Sequence, residues 1–316
     1  MTRFIVRRTM QMVAVLFCTS VFTFLIFQVI PNGNPALRLA GQTATPQTIA
    51  AIERQWGFNK PIYVQYLDTM QKVLTGSVIS YSQQINVLAE IRRGLPATIS
   101  LAGGAAVIWL LAGVALGTLS ALRAGRFSDR ALAVLSLVGI STPSFVLATA
   151  LLYLLAYKVH VFPLSGYVPL TQSPWQWFLH LVLPWFCLSF IYVGFYSRVL
   201  RSNMLDTLRE DYVRTATAKG LSRRRVIVGH VLRASLIPLI SLWGLDFAGV
   251  IGGGAILVEV VFNLNGVGQY AAESIQTLDV PPVLVIVMYG AFLVVVLSAI
   301  IDVLYVVLDP RVRLNA

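Results

Sequence analysis

RSNMLDTLREDYVRTATAKGLSRRRVIVGHVLRAS, residues 201–235, is a polar island in an apolar chain. Acids lead it (Asp206, Glu210, Asp211) and bases follow (Arg214, Lys219), an order that suits the dipole of a short helix. Thr215, Ala216, Thr217 and Ala218 form a run of small side chains, and Lys219-Gly220-Leu221 closes it. Gly220 fits a left-handed C-terminal stop. Ser222 can cap a second helix, running from Arg223 to Arg233 and meeting Pro238 near the next apolar run. The stretch therefore predicts helix, break, helix at a membrane surface. Small residues on the first helix allow close approach to a partner, and the arginines of the second suit anionic headgroups.

Outward from that island the chain has a membrane composition. Of its 316 residues, 57% are hydrophobic and 12% charged, and the mean hydropathy is +0.76. A soluble domain carries about a quarter charged residues. These values exclude an ordinary soluble enzyme and a disordered chain. Crossing the hydrocarbon core takes about 20 apolar residues, and six stretches qualify, at 9–30, 97–121, 131–157, 178–199, 236–261 and 283–308. The first is too long for a signal peptide, and QVIPNGN at 28–34 offers no small-x-small cleavage site, so it is expected to stay as a span. The expected fold class is an all-α membrane protein with six transmembrane helices. Its parts are residues 1–30 (terminus and first span), 31–96 (an extracytoplasmic segment) and 97–316 (a five-span core carrying the 201–235 loop).

The net charge of +11 is distributed in a way that sets direction. With the N-terminus in the cytoplasm, 17 of the 24 basic residues fall inside, from Arg3 through Arg123, Arg126, Arg130 and the 201–235 loop to Arg311 and Arg313. The inner loops then carry a net charge of +12 and the outer ones +1. The positive-inside rule places both termini in the cytoplasm. A nucleic-acid partner is not needed to account for the basic balance.

No chemistry of bond making is visible. A phosphate-binding loop needs Lys followed by Ser or Thr, yet Lys60, Lys72, Lys158 and Lys219 precede Pro, Val, Val and Gly. His160, His180 and His230 form no zinc motif, and no Gly-x-Ser-x-Gly elbow occurs. Neither catalytic nor metal-binding residues are expected. Cys18 and Cys187 read as buried apolar side chains. Asp246 and Asp302 lie within spans and should face protein or water. Asp302 is expected to pair with an inner arginine, whereas Asp246 fits a structural or a pathway role. Gly113 with Gly117, and Gly249 with Gly253, repeat at a spacing that lets helices approach closely. Gly252-Gly253-Gly254 can also ease movement of a pore-lining fifth span. Pro143 and Pro184 can kink spans three and four. Phe162, Tyr167, Trp175 and Trp177 are expected at the headgroup level.

The residues also carry a resemblance. Glu210-Asp211-Tyr212-Val213-Arg214-Thr215-Ala216-Thr217-Ala218-Lys219-Gly220, with His230, Arg233 and Pro238, resembles the "EAA" loop of binding-protein-dependent ABC importer permeases, in particular the dipeptide/oligopeptide/nickel branch. Further matches run along the chain: Arg7-Arg8, Pro61 with Tyr66, Leu95-Pro96-Ala97-Thr98, Pro143-Ser144-Phe145 and Ser197-Arg198 with Arg201. They continue through Gly253-Gly254, Glu259, Phe262, Gly266 and Gly268, Asp279 with Pro281, Asp302 with Tyr305, and Asp309-Pro310-Arg311. The chain departs from the pattern at Pro31-Asn32-Gly33-Asn34-Pro35, at Gly76-Ser77 and at Thr217.

The resemblance implies type I ABC importer architecture in a bacterial plasma membrane. It implies a second homologous permease, two ABC ATPase subunits that bind ATP and Mg, and an extracytoplasmic solute-binding protein. This chain itself would hold no cofactor. The coupling helix would span Arg214 to Leu221, with Ala216 and Ala218 against an ATPase. Pore candidates are Asp246, Gly252, Gly253, Gly254 and Glu259. The implied cargo is a dipeptide or oligopeptide, with nickel chelate, haem or glutathione as alternatives. An ion-coupled secondary transporter would instead act alone and ignore ATP, and a purely structural scaffold would pass no solute.

Overall fold

Where the chain is long and apolar, it is helical. The computed structural model describes residues 2–29, 35–40 and 45–308. Among these, five helices are long and apolar enough to cross a membrane: Thr9–Phe27, Val87–Leu122, Pro174–Thr207, Arg223–Gly254 and Val280–Ile301. A sixth crossing is a broken one, α6 (Phe127–Ser141) and α7 (Ser144–Leu151, running on to Lys158), bent by 98°. No strand occurs among the described residues; Ile79 and Asn86 make an isolated antiparallel bridge. Pro31 to Asn34 and Asp309-Pro310-Arg311 lie outside the described residues, and so does the Asp302 side chain, whose expected arginine partner is therefore not described.

Prolines act according to what precedes them. Thr142 is extended (φ −86°, ψ 118°), as the residue before a proline prefers, and Pro143 is extended too (φ −60°, ψ 133°). Two extended residues in succession turn the chain, so Pro143 breaks span three rather than kinking it. Pro184 lies inside α8 (Pro174–Thr207), and Pro96 inside α5 (Val87–Leu122), without interrupting either helix.

Two span limits shift. With 36 residues, α5 is about 54 Å long, so its first turns project beyond the roughly 30 Å hydrocarbon core. The fifth span begins much earlier than residue 236. Its segments, α10 (Arg223–Val226), a π-helical stretch (Ile227–Leu232), α11 (Arg233–Gly249) and a second π turn (Val250–Gly254), follow one another without a gap. The second helix of the polar island therefore does not stop at Arg233. It is the start of the span, and Pro238 sits inside it. At Gly253 (φ +140°), a conformation that L side chains rarely adopt, the chain turns into the separate helix α12 (Ile256–Phe262).

The core joins α5 and α8, with Leu101, Ala105, Trp109, Leu188, Tyr196 and Leu200 buried at its centre. Gly113 and Gly117 press α5 onto α8: a methyl group at either would lie 2.6 Å from Tyr196 Cβ or 2.7 Å from the Ser197 carbonyl. That pair packs as its spacing predicts. Gly249 faces open space and Gly253 meets only Ile256, so the second pair does not. Gly252 makes the close contact instead, against Gly290 of α14 (Val280–Leu308).

Before α5 lie α1 (Thr2–Phe24), α2 (Pro35–Ala40), α3 (Pro46–Trp56) and α4 (Ile62–Thr75). Tyr66 of α4 reaches Ser20 of α1 through a 2.8 Å hydroxyl contact, and its ring meets Phe24 edge-on. The loop at 158–173 and the start of α8 fold back onto α5. Tyr167 and Trp177 both hydrogen-bond Ser100 Oγ, at 3.0 and 3.2 Å, and Phe162 packs on the core. Trp175 alone of the four projects, at 65% exposure. Cys187 is buried, donating to the Ser144 carbonyl, but Cys18 is exposed on α1.

Candidate functional site

The polar island folds around α9 (Asp211–Ala218). Glu210 precedes it in extended conformation, and Gly220 (φ +80°) ends the turn beyond it. Ser222 stands at the cap position of α10, but its side chain makes no capping hydrogen bond. Val213 and Ala216, three residues apart, share one face and are buried in the core with Val226 and Val231. Ala216 and Ala218, both expected against an ATPase, lie on different faces of α9. Ala216 anchors α9 to its own chain, whereas Ala218 is exposed.

The outward face carries Tyr212, Arg214, Thr215, Ala218 and Lys219. Thr215 and Thr217 turn their hydroxyls back onto the Asp211 and Val213 carbonyls, at 2.9 and 3.0 Å, so both hydroxyl protons are used within α9. Beside α9 runs a groove of about 760 Å³, floored by Ala121, Leu122, Leu208 and Val226 and edged by Arg214 and Arg223.

Next to this element lies an ion pair that residue spacing did not reveal. Asp129 of α6 is buried and receives Arg201 of α8 in two parallel bonds, Nε to Oδ1 at 2.7 Å and Nη2 to Oδ2 at 2.8 Å. Ser120 of α5 and the Gly125 N–H also donate to it. One carboxylate thereby ties the ends of three spans together.

Among the pore candidates, Glu259 is not free. Its side chain is fully buried in α12. Thr98 Oγ donates to Oε1 at 2.8 Å, and the Gln269 N–H donates to Oε2 at 3.0 Å. Thr98 Oγ in turn accepts from the Val267 N–H at 2.9 Å. A methyl group at Gly266 or Gly268 would overlap Glu259 Oε2. The acid is a knot joining α5, α12 and the start of α13 (Val267–Gln276). Asp279 does the same for the 76–86 loop, accepting from Ser80 Oγ and from the Tyr81 and Ser82 N–H groups.

Asp246 has a different setting. It is half-buried on α11, and Tyr196 donates to its Oδ2 at 2.7 Å. Tyr196 is fully buried. Trp109 stacks on Tyr192 with centroids 4.4 Å apart, and Trp243 on Phe247 at 5.6 Å. An acid within a span costs up to about 3 kcal/mol to insert, which a hydroxyl donor helps to offset. Gly252, Gly253 and Gly254 lie farther along the same span, beside a cavity of about 100 Å³ shared with Tyr289 and Gly290.

The chain matches the family described as binding-protein-dependent transport system inner membrane component over residues 113–314, and that family's N-terminal counterpart over residues 1–102. It belongs to that family. The chain is accordingly a multi-pass permease component of the bacterial inner membrane, not itself an enzyme. It is 37% identical to the probable peptide ABC transporter permease protein y4tP of Sinorhizobium fredii, over 98% of this chain and 99% of that protein. It is 34% identical to the probable D,D-dipeptide transport system permease protein DdpB of Escherichia coli, over 97% and 96%. With the dipeptide transport system permease protein DppB of Bacillus subtilis it shares 32%, over 100% and 99%.

In this permease, residue spacing hid three partnerships: Asp129 with Arg201, Thr98 with Glu259, and Tyr196 with Asp246. Their members stand 72, 161 and 50 positions apart. A local signal existed only for the aromatic side of the last, because Tyr192 and Tyr196 are one helical turn apart.

Proposed function

We propose that this permease is one of two related pore subunits of an ATP-driven importer of short peptides. Both termini lie in the cytoplasm, and two separate ATPases bind ATP and Mg. An outer solute-binding protein delivers the cargo. The peptide and dipeptide permeases it is similar to support the peptide class, and α9 supports the coupling. The observation that carries the reading is the division of that short helix. Val213 and Ala216 fasten it to the spans, while Tyr212, Thr215, Ala218 and Lys219 face outward. A push on the exposed face therefore passes through α10 into the fifth span, and the pore shifts between two states.

The test is reconstitution of the permease pair with its ATPases and binding protein. Ala218→Glu is expected to lower peptide uptake at least tenfold while the permease folds as the wild type does. Ala216→Glu instead places a charge in the chain's own core and lowers the amount of folded permease. Normal uptake by the Ala218→Glu complex would remove α9 from the coupling path.

A further inference from the structure

Asp246 is the only acid between Arg223 and Gly254. Arg233, the nearest cation along that helix, stands 13 residues away, about 20 Å at the rise of an α-helix. Among the described residues Asp246 has no ion-pair partner, and its Oδ1 accepts no hydrogen bond. Every other buried acid described above has both oxygens engaged. This carboxylate is held at one oxygen by a fully buried tyrosine and left open at the other.

Its surroundings are aromatic. Trp243 lies one turn before it on the same face, and Trp243 Nε1 donates to the Ala106 carbonyl at 3.0 Å, which fixes the indole. Phe247 stacks on Trp243 with an interplanar angle of 2°. Tyr192, half-buried, is pinned by Trp109. A carboxylate with a free oxygen, with Trp243 one turn away on its own helix and Tyr192 of α8 close by, is the chemistry that receives an alkylammonium. Charge attracts it and the ring quadrupoles add to the attraction.

We propose that Asp246, held by Tyr196 with Tyr192 and Trp243 beside it, is the station in the pore that takes the α-ammonium group of a passing peptide. The inference rests on the peptide-importer reading above. All unmodified short peptides share that ammonium whatever their side chains, so one acid serves a pore that must pass many sequences. The carboxylate is half-exposed and has one open oxygen, so the contact is made and released rather than locked.

The test uses the whole importer in proteoliposomes, with Ala-Ala as the probe. Uptake and binding-protein-stimulated ATP hydrolysis are read together. Asp246→Asn is expected to lower uptake at least tenfold while stimulated hydrolysis stays within twofold of wild type. Asp246→Glu retains the larger part of the uptake. Trp243→Leu, which leaves the acid in place, lowers uptake per ATP about threefold, and Trp243→Phe, which keeps an aromatic face but loses the bond to Ala106, lowers it less. Uptake by Asp246→Asn within twofold of wild type overturns the proposal, as does parallel loss of uptake and hydrolysis, which would make the pair a strut. Should Asp246→Asn fail to assemble, equal uptake by Trp243→Leu and Trp243→Phe overturns it. A wild-type complex that hydrolyses ATP but takes up no di- or tripeptide overturns the peptide reading itself, and this inference with it. Wild-type uptake unaffected by Asp246→Asn removes this inference alone.

Discussion

The two ends of α5 hold buried acids by different means. Near its C-terminal end, Ser120 and the Arg201 guanidinium meet Asp129. About 33 Å away along the same helix, Thr98 meets Glu259, which receives only a hydroxyl and backbone N–H donors. Where cations are plentiful, a bidentate ion pair joins the spans. Where they are scarce, glycines let the backbone come close enough to supply the donors. The first knot depends on a charge. The second depends equally on an acid and on the absence of side chains at Gly266 and Gly268.

That contrast predicts different ways of breaking each end. The largest loss is expected for Asp129→Ala, which leaves Arg201 without its partner in a site that is mostly closed to solvent. Removing one member of a buried pair costs 3–5 kcal/mol, and because the Arg201 side chain keeps 33% exposure we expect about 3 kcal/mol. Thermal unfolding in detergent measures it. The double variant Asp129→Ala with Arg201→Ala should cost less than the two single losses added together. Additive losses would show that the pair is not a unit.

Gly266→Ala comes next. Its methyl group would enter the space of Glu259 Oε2, and overpacking of this kind costs about 1–3 kcal/mol. Glu259→Gln keeps the shape but turns one acceptor into a donor facing N–H groups, with a cost in a similar range. A neutral Gly266→Ala would mean that the glycine collar does not hold the acid, and the proposed difference between the ends would disappear.

The same contrast explains what could be read from residues alone. The spans were legible because their length and apolarity are local properties. The polar island was legible as helix, break, helix because Gly220 and Ser222 are local signals. What it lacked was the destination of the second helix, since nothing near Arg233 stops it and Pro238 is accommodated within the span. The inward turn of Ala216 could have been taken from its spacing to Val213, the one branched aliphatic side chain in a helix of 8 residues. The buried acids were not legible as partners. Asp129 counts as a loop charge and Glu259 as a pore acid until the fold brings Arg201 and Thr98 to them. The 98° break required knowing that Thr142 and Pro143 would both adopt extended conformations.

The smallest effect belongs to an acid outside both knots. Asp68 of α4 meets Lys60 Nζ at 2.6 Å, with side-chain exposures of 41% and 48%. The Lys60 hydrogen bond holds its carboxyl below the usual carboxylate range. A folded-state pKa lower than the unfolded one means that the contribution is present above the unfolded value, about 3.9, and is lost as pH falls through the folded value. Exposed pairs are screened by water and salt, so Asp68→Asn should leave the melting temperature at pH 7 nearly unchanged. Any difference from wild type should shrink further in acid. Melting curves of the two proteins at neutral and acid pH decide the point. A drop for Asp68→Asn as large as that for Gly266→Ala would mean that burial is not what separates these acids. The distinction between charge-paired and glycine-collared ends would then have to rest on something other than desolvation.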